Sequence, residues 1–429
     1  MRRPLILVAA ALAVASVAAL WLFRSQPTQT QPEVASTRTQ TQWPLRGLLF
    51  GPALDDEAHA PGTEQALTID VCGVGPVAVK SLDDPPPSLV PTAANGAAAS
   101  QVLRRAVAEL EASTSPSDQA IALHYQASLA GEAAAGVSTN IDACFNNDNC
   151  RNSTLQVVEE AAAPYEQLLV QLAKRTADPL AFSFAYKACE QAEVARTGIC
   201  DDVTAQRWTE LEPDNGLPWV LAASQAAKRG DTKAAAEAMA RAATAPRFDN
   251  HSGALLRPIE TESLATTASI EQLPELVDLM GASTGASSVA AYRQVSTFCE
   301  RGALDANRAR ICGQLAALLI DRDTSMLGAG IGIAIGEHVG WSSERLAAVH
   351  DELDAMRWLS IDPQFMPPRV YACASIQALK ARQRDMLRFG ETGALRRGIA
   401  ASGRSVAELA HEYRDYERRL AQGEATARQ

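Results

Sequence analysis

The chain has 429 residues, of which 47% are hydrophobic and 21% charged, and its formal net charge is −11. This content excludes a wholly disordered chain, and the length allows one elongated domain or two compact ones. The acidic balance argues against nucleic acid or another polyanion as the partner of the whole protein. Aromatic residues make up only 5%, and alanine, the best helix former, dominates the apolar residues, so the composition favours an all-α fold.

The N-terminus predicts a membrane anchor. Two arginines precede an uncharged, apolar run over residues 4–23, and Arg24 follows it. Twenty such residues form a helix about 30 Å long, which matches the hydrocarbon thickness of a bilayer. We therefore predict a signal anchor or transmembrane helix over residues 1–24. The alternative is a cleaved signal peptide, which would release the chain into the periplasm.

Charge and cysteine content predict the compartment. More arginine lies before the apolar run than after it, which places the N-terminus in the cytoplasm and the rest of the chain outside it. Eight cysteines, an even number, are typical of a disulfide-bonded protein in an oxidising environment. We predict a single-pass protein of a bacterial inner membrane, with its folded part in the periplasm.

Low-complexity stretches divide the remaining chain. Residues 25–63 are rich in Gln, Thr and Pro and predict a disordered tether. Residues 64–98 combine a short strand-like segment, in which Leu67, Ile69 and Val71 alternate with polar residues, with a Pro-rich linker. Apolar residues at helical spacing predict a helical repeat-like domain over 99–421, and residues 422–429 a disordered tail.

One stretch resembles a known repeat. "PDNGLPWVLAASQAAKRGDTKAAAEAMARAATAP", residues 213–246, has Trp219 near its start, the pair Gly230 and Asp231 at a turn, and small residues on both sides of that turn. It is similar to a divergent tetratricopeptide repeat, and residues 178–213 are a second candidate unit. The resemblance implies antiparallel helical hairpins stacked as a solenoid.

The same resemblance implies a ligand-binding surface on the first helix of each hairpin. In the matching unit, the residues that it places toward this surface are Leu217, Val220, Ser224, Ala227 and Lys228. They are mostly small and apolar, so a hydrophobic or helical ligand is expected there rather than a peptide carboxylate.

The cysteines could serve as metal ligands, redox pairs or structural bridges. Cys189 and Cys200 stand eleven positions apart and Cys299 and Cys312 thirteen, without an adjacent histidine to complete a zinc site. We predict that each pair staples a helical hairpin. A further bridge is expected to close the polar turn between Cys144 and Cys150. Cys72 and Cys373 stay unassigned, and a bridge between them would tie the N-terminal segment to the C-terminal helices.

No motif predicts a metal or a cofactor. In "GAGIGIAIGEH", the glycines Gly328, Gly332 and Gly336 recur every fourth residue without a preceding strand, which indicates helix packing rather than a nucleotide loop. None of the histidines forms a spaced metal motif. Donors for a weak metal site are offered by a cluster of Asp55, Asp56, Glu57 and His59. A solvated acidic turn is the better interpretation of this cluster.

The segment 380–404 is basic in an acidic protein. A solvated helical face is the simpler interpretation, and contact with anionic headgroups or an acidic partner is the alternative. The basic residues of this segment are Lys380, Arg382, Arg384, Arg388, Arg396, Arg397 and Arg404.

The sequence therefore predicts a membrane-anchored periplasmic helical-repeat protein that binds or scaffolds another protein or peptide and is not a catalyst. The alternative is an envelope enzyme acting on a cell-wall or lipid substrate, for which Asp55 and His59 are the only candidates. A thiol-disulfide factor is disfavoured, because redox-active cysteines are usually spaced Cys-x-x-Cys.

Overall fold

The computed structural model describes residues 67–72, 75–79, 93–138, 148–190, 192–262, 264, 289–300, 302, 304–361 and 372–422. These residues are mostly helical, which confirms the all-α prediction. The predicted anchor (1–24), the tether (25–63) and most of the tail (422–429) lie outside them. Within the described ranges, no helix is both long enough and apolar enough to cross a membrane.

Two short strands precede the helices. They are β1 (Leu67–Val71) and β2 (Gly75–Val79), which pair antiparallel with Leu67 opposite Val79. The helices, in chain order, are α1 (Ala93–Glu111), α2 (Pro116–Ser138), α3 (Asp148–Thr176), α4 (Pro179–Ala188), α5 (Ala192–Ala195), α6 (Ala205–Leu211), α7 (Gly216–Lys228), α8 (Thr232–Ala243), α9 (Val289–Phe298), α10 (Ala306–Arg322), α11 (Met326–His338), α12 (Ser343–Ser360), α13 (Cys373–Ser402) and α14 (Val406–Ala421), with a 3₁₀ helix at Ser252–Glu260 between α8 and α9.

The strand-like segment expected within 64–98 is therefore a β-hairpin. The linker predicted up to residue 98 ends earlier, because α1 begins at Ala93. The alanine-rich first residues of α1 favour helix directly after Pro91, the last proline of the linker.

Polar residues at the helix starts set several boundaries. The side chain of Asp178 accepts a hydrogen bond from the N–H of Ala181 at the start of α4, and Asp231 does the same for Ala234 in α8. Gly230, just before Asp231, has a φ of 78°, a conformation that glycine adopts without steric cost. The Gly-Asp pair thus ends α7 and begins α8, as the sequence predicts for this turn.

Most consecutive helices pack as neighbours, notably α2 with α3, α7 with α8, and α10 with α11. One apolar core extends from Ala99 to Ile335, and a smaller one joins α11, α12, α13 and α14. Distant segments also meet: the 3₁₀ helix packs on α1, α2 and α13. Tyr125 on α2 donates a hydrogen bond to the carbonyl of Leu255, which lies in the 3₁₀ helix. The chain therefore folds back on itself and is not held by nearest-neighbour contacts alone.

The glycines of α11 serve packing. A Cβ on Gly332 would lie 2.8 Å from the carbonyl oxygen of Ala316, and one on Gly336 would lie 2.7 Å from the Trp341 ring. Glycine at position 332 therefore allows α11 to approach α10 this closely, and glycine at position 336 leaves room for the Trp341 ring. The packing interpretation of this stretch is confirmed.

Three disulfide bridges lie within the described residues: Cys72 with Cys373, Cys189 with Cys200, and Cys299 with Cys312. Cys189 caps the C-terminus of α4 and is joined to the turn before α6. Cys299 and Cys312 are fully buried between α9 and α10. Cys144 is not among the described residues, so the bridge expected between Cys144 and Cys150 lies outside them. Cys150 is in the first turn of α3.

The bridge from Cys72 to Cys373 spans 301 positions and fastens the hairpin to the first residue of α13. Among the described elements, the two strands make their substantial contacts only with each other. Replacing both cysteines by serine is therefore expected to accelerate amide hydrogen exchange over residues 67–79 while the helical circular dichroism is retained. Unchanged exchange in the hairpin would contradict this view of the bridge.

Removal of the buried disulfide between Cys299 and Cys312 is expected to affect the whole fold and not one segment. The double change Cys299→Ala and Cys312→Ala is expected to lower global stability by about 3 kcal/mol, the usual effect of opening a loop of this length.

Candidate functional site

An open groove lies between α8 and α10. It has a volume of about 470 Å³. Its lining is mainly small and apolar, with Gln314, Asp321 and Arg322 as polar members; the apolar members are Ala243, Ala245, Pro246, Ala317 and Leu318. Alanines on both helices leave this space because they carry no side chain long enough to fill it.

A second, smaller cavity of about 150 Å³ lies between α3, α4 and α6. Lys174 and Asp202 line it and form an ion pair with a 3.3 Å separation. The groove between α8 and α10 is therefore the larger of these two openings.

Next to the groove, four chain segments meet in a cluster of buried polar groups that we call the polar junction. It comprises residues 212–215, 247–251, 323–325 and 390–392. Two parallel β-bridges connect the first three of these segments: Asn215 with Arg247, and Phe248 with Asp323. The junction adjoins the groove in sequence, because Pro246 precedes Arg247 and Arg322 precedes Asp323.

Glu212 is the centre of one half of the junction. Its side chain is 3% exposed and accepts hydrogen bonds from the indole N–H of Trp208 at 2.8 Å and from the amide of Asn215 at 3.2 Å. Arg247 and His251 also contact it. Burial alone would raise the pKa of Glu212, but His251 and Arg247 outweigh it and lower this pKa to about 2. Glu212 is therefore an ionised carboxylate with a full set of donors.

Asp323 is the centre of the other half. It is 2% exposed and accepts hydrogen bonds from the hydroxyl of Tyr292 at 2.8 Å and the N–H of Ser325 at 2.9 Å. Burial raises its pKa to about 8, and the carboxylates of Asp249 and Glu391 act in the same direction. Unlike Glu212, Asp323 has no cation among its hydrogen-bond partners in the described part of the chain.

Residues at a break in α13 complete the junction. Glu391 accepts a hydrogen bond from the N–H of Met326, the first residue of α11, at 2.8 Å. The backbone N–H groups of Glu391 and Thr392 both bind the carbonyl of Thr324. The start of α11 is thus held by three side chains: Ser325 is its N-cap and accepts a hydrogen bond from the N–H of Gly328, Glu391 accepts from Met326, and Asp323 accepts from the N–H of Ser325 itself.

These carboxylates face protein donors, and neither the groove nor the smaller cavity is lined by Glu212, Asp323 or Glu391. Within the described residues, no group of three or more His, Cys, Asp or Glu side chains is arranged to hold a metal ion. The arrangement holds the segments beside the groove together. Sequence reasoning missed it, since its members are up to about 180 positions apart and form no motif.

A second buried group lies between α2 and α4. The Nε2 atom of His124 is buried without a hydrogen-bond partner, and the ring of Phe184 lies 5.2 Å from the imidazole. Burial, and then the charge of Lys187, lower the pKa of His124 from 6.5 to about 4. Lys187 donates to the carbonyl of Asn250 at 3.0 Å, and burial lowers the pKa of Lys187 to about 8.

The shifted His124 predicts a pH dependence. Between pH 6.5 and 4 the unfolded chain binds a proton at His124 and the folded chain does not, so the wild-type protein loses stability as pH falls. The variant His124→Leu has no titrating group at this position, so it does not lose stability for this reason as pH falls. The variant's stability relative to wild type, measured by urea denaturation, is expected to rise by up to about 3 kcal/mol between pH 7.5 and pH 4. A difference that is constant with pH would contradict burial of a neutral His124.

The residues expected to face a ligand on α7 are only in part at the surface. Leu217 and Val220 are 3% and 0% exposed and belong to the core, because this side of α7 packs against α6 and α9. Ser224 is half-buried, and Ala227 and Lys228 are exposed. The protein's own helices thus cover Leu217 and Val220, whereas Ser224, Ala227 and Lys228 remain accessible, and the open groove lies elsewhere, beside α8.

The remaining candidates separate into two groups. Asp55, Asp56, Glu57 and His59 lie outside the described residues. In the basic segment, several arginines are engaged by the protein itself: Arg396 with Glu352 at 2.6 Å, Arg397 with Asp385 at 3.3 Å, Arg404 with Glu412, and Arg382 with the carbonyl of Leu359.

Comparison of the chain with known protein families, with curated proteins and with solved structures gives no match. What the protein binds is therefore inferred from its own residues.

Proposed function

We propose that this chain is a membrane-tethered, non-catalytic helical scaffold that binds a segment of another protein in the groove between α8 and α10. The observation that carries the proposal is the groove itself, an open space of about 470 Å³ lined mainly by alanine, proline and leucine. The buried carboxylates are engaged within the polar junction and do not line it.

The lining indicates the chemistry of the ligand. Small apolar residues form most of the surface, and Asp321 and Arg322 supply one charge of each sign at one end. A helix or extended segment with small apolar side chains buries this surface, and polar groups beside it match the two charges. A strongly charged ligand has no complement here.

The proposal includes a tetratricopeptide-like repeat at residues 213–246, which the hairpin of α7 and α8 supports; the second candidate unit, residues 178–213, contains the three short helices α4, α5 and α6. The hairpin of α7 and α8 keeps the Gly-Asp turn and the close contact between its helices. In this proposal the ligand lies beside the second helix of the hairpin, because that helix lines the groove and packing covers Leu217 and Val220 on the first.

The proposal places the scaffold on the periplasmic side of a bacterial inner membrane, held by the helix predicted over 1–24 and the tether over 25–63. The disulfide bridges are consistent with an oxidising compartment. Cleavage of the N-terminal segment would leave the binding function unchanged but release the protein. An envelope enzyme remains the alternative, and its candidates, Asp55 and His59, are not among the described residues.

Crosslinking in intact cells, followed by purification of the full chain and mass spectrometry, tests the proposal. A reproducible partner is expected, and Ala317→Arg, which fills the groove, is expected to abolish its recovery. Gln314→Arg is a second variant at an exposed position of the groove, chosen to preserve folding. Ala133→Arg, at an exposed position of α2, is the control. A partner that survives both groove variants would refute the assigned site, and the lack of any partner would refute the scaffold.

A further inference from the structure

Asp323, which directly follows α10, is a buried carboxyl group without a cation. It is 2% exposed. One of its oxygens accepts a hydrogen bond from the N–H of Ser325, and both lie within hydrogen-bond distance of the Tyr292 hydroxyl. Among the described residues, no lysine, arginine or histidine forms an ion pair with it. Because an ionised carboxylate is costly to bury without a cation, this environment favours the protonated acid.

Two further acidic side chains lie near Asp323. Asp249, in the segment 247–251, and Glu391, at the break in α13, both oppose a negative charge on Asp323. The hydroxyl of Thr324, the next residue in the chain, lies 3.5 Å from an oxygen of Asp249. An ionised Asp323 would therefore add a negative charge to an acidic cluster.

The basic groups around this cluster have other partners. Arg247 and His251 lie 3.5 Å and 3.7 Å from Asp249, and both also contact Glu212. Arg293 on α9 and Arg322 at the end of α10 are exposed. The remaining basic groups on the elements packed around Asp323 are Lys187, which binds the carbonyl of Asn250, Arg382, which binds that of Leu359, and Arg396, which binds Glu352 and the carbonyls of Ile320 and Asp321.

The neighbouring hydroxyl groups can accept a proton from Asp323. The Tyr292 hydroxyl lies 2.8 Å from an oxygen of Asp323 and 2.8 Å from the Ser325 hydroxyl. A hydroxyl group donates one hydrogen bond and accepts others. If Asp323 is protonated, it donates to Tyr292, which donates to Ser325. If Asp323 is ionised, both donations reverse, so the proton has a hydrogen-bond acceptor and need not remain unpaired.

The first turn of α11 holds the carboxyl group in place. A Cβ on Gly328 would overlap an oxygen of Asp323, so position 328 requires glycine. The carboxyl group of Asp323 thus lies directly against the backbone of α11. Water cannot reach it without separation of the segments that form the polar junction.

We propose that Asp323 holds a proton at neutral pH and that its release in alkaline solution loosens the polar junction, which thus acts as a proton-linked latch. Release transfers the proton to water and leaves an anion that no cation neutralises. Repulsion by Asp249 and Glu391 then favours separation of α10 from α13 and from the segment 247–251. This inference goes beyond the proposed function and does not depend on what the groove binds.

The latch adjoins both walls of the groove. Phe248 pairs with Asp323 in a parallel β-bridge, and its N–H binds the carbonyl of Arg322 at 3.4 Å. Pro246 and Arg322 line the groove between α8 and α10. Release of the proton from Asp323 therefore also changes how the ends of α8 and α10 are held together.

The pKa of Asp323 gives the direction of the effect. Burial, together with Asp249 and Glu391, raises this pKa from 3.8 to about 8. The stabilisation from the bound proton is therefore complete below pH 3.8 and is lost as pH rises through 8. Lys187 titrates nearby with the opposite sign: burial lowers its pKa from 10.5 to about 8, so its contribution to stability rises with pH between these values.

Infrared spectroscopy of the purified full chain tests whether the proton is bound, because the C=O stretch of a protonated carboxyl group is separate from that of a carboxylate. At about pH 6.5 the wild-type chain is expected to show one protonated carboxyl group more than Asp323→Asn, and the difference is expected to disappear by about pH 10. Asparagine is the matched replacement, because its amide donates to Tyr292 and its oxygen accepts from Ser325, as the protonated acid does.

Glu166→Gln is the control for this measurement. Burial, and then Glu159, raise the pKa of Glu166 to about 7, so this carboxyl group on α3 also contributes to the infrared signal. Glu166→Gln is expected to remove its own contribution and to leave the difference between wild type and Asp323→Asn unchanged.

Hydrogen exchange tests the latch. The amides of Phe248, Glu391 and Thr392 report on it, because they bind carbonyls across the junction. Their protection factors, which correct for the intrinsic effect of pH on exchange, are expected to fall at least about tenfold between about pH 6.5 and pH 9 in the wild type and not to fall in Asp323→Asn. The amide of Leu409, at the start of α14, is the internal control, and its protection is expected to stay constant.

A second variant keeps the inference testable if Asp323→Asn does not fold. Tyr292→Phe removes a donor to the ionised form, so it is expected to move the midpoint of the Asp323 titration to higher pH. Equal carboxyl signals in wild type and Asp323→Asn at about pH 6.5, or a midpoint that Tyr292→Phe leaves in place, would overturn the bound proton. Constant protection of the three junction amides in the wild type would overturn the latch, even where the proton is found.

Discussion

Replacing Gly390 with alanine is expected to lower the free energy of unfolding by about 3 to 5 kcal/mol, the sum of backbone strain and a steric clash. Gly390 interrupts α13 with a φ of 72° and a ψ of 178°. A Cβ there would lie 2.5 Å from the Cβ of Thr324 and 3.0 Å from its Cα. Thr324 cannot withdraw without cost, because its carbonyl accepts hydrogen bonds from Glu391 and Thr392.

Gly403→Ala is the matched control. Gly403 also has a positive φ, of 69°, but a Cβ on it would meet no atom within 4 Å. Its replacement therefore costs only the backbone strain, about 1 kcal/mol. Chemical denaturation followed by circular dichroism measures both variants. Equal losses would show that contact with Thr324 does not constrain this position.

Replacing Glu212 with alanine is expected to cost about 3 to 5 kcal/mol, because removal of one partner leaves other buried polar groups unpaired. The indole N–H of Trp208, which is fully buried, loses its acceptor, Arg247 loses a counter-charge, and His251 loses a hydrogen-bond partner. Glu210→Ala is the control: Glu210 is 52% exposed and pairs only with Arg207, and the expected change is within about 0.5 kcal/mol.

The contribution of Glu212 depends on pH with a defined sign. Its pKa is lowered in the folded protein to about 2 from 4.5. The stabilisation is therefore complete above pH 4.5 and is lost as pH falls toward 2. The stability difference between wild type and Glu212→Gln is expected to shrink by about 3 kcal/mol over that range. A difference that persists unchanged at pH 2 would contradict an ionised Glu212.

Substitutions of Gly390 and Glu212 are also expected to weaken partner binding in the groove. Both residues belong to the polar junction, which connects the end of α8 to the end of α10, and these two helices line the groove. Weaker partner binding by a Gly390→Ala protein that is still folded would link the junction to the proposed function.

Local features were determined by the sequence itself. Apolar spacing places α1, α7 and α8, and the Gly-Asp pair sets the turn at residue 230, because these depend on neighbours within one or two helical turns. The sequence pattern also predicts a helix over 369–389, and Gly390 interrupts α13 directly after it. An even cysteine count in a chain with an apolar N-terminal run likewise indicated disulfides before any fold was known.

Which helical face is buried was decided only by the tertiary structure. Leu217 and Val220 have the same local pattern whether a ligand or a neighbouring helix covers them, and here α6 and α9 do. The polar junction, the groove between α8 and α10, and the bridge from Cys72 to Cys373 join segments from 32 to 301 positions apart. Periodicity carries no information at such separations, because those contacts arise from packing and not from the order of residues along one helix.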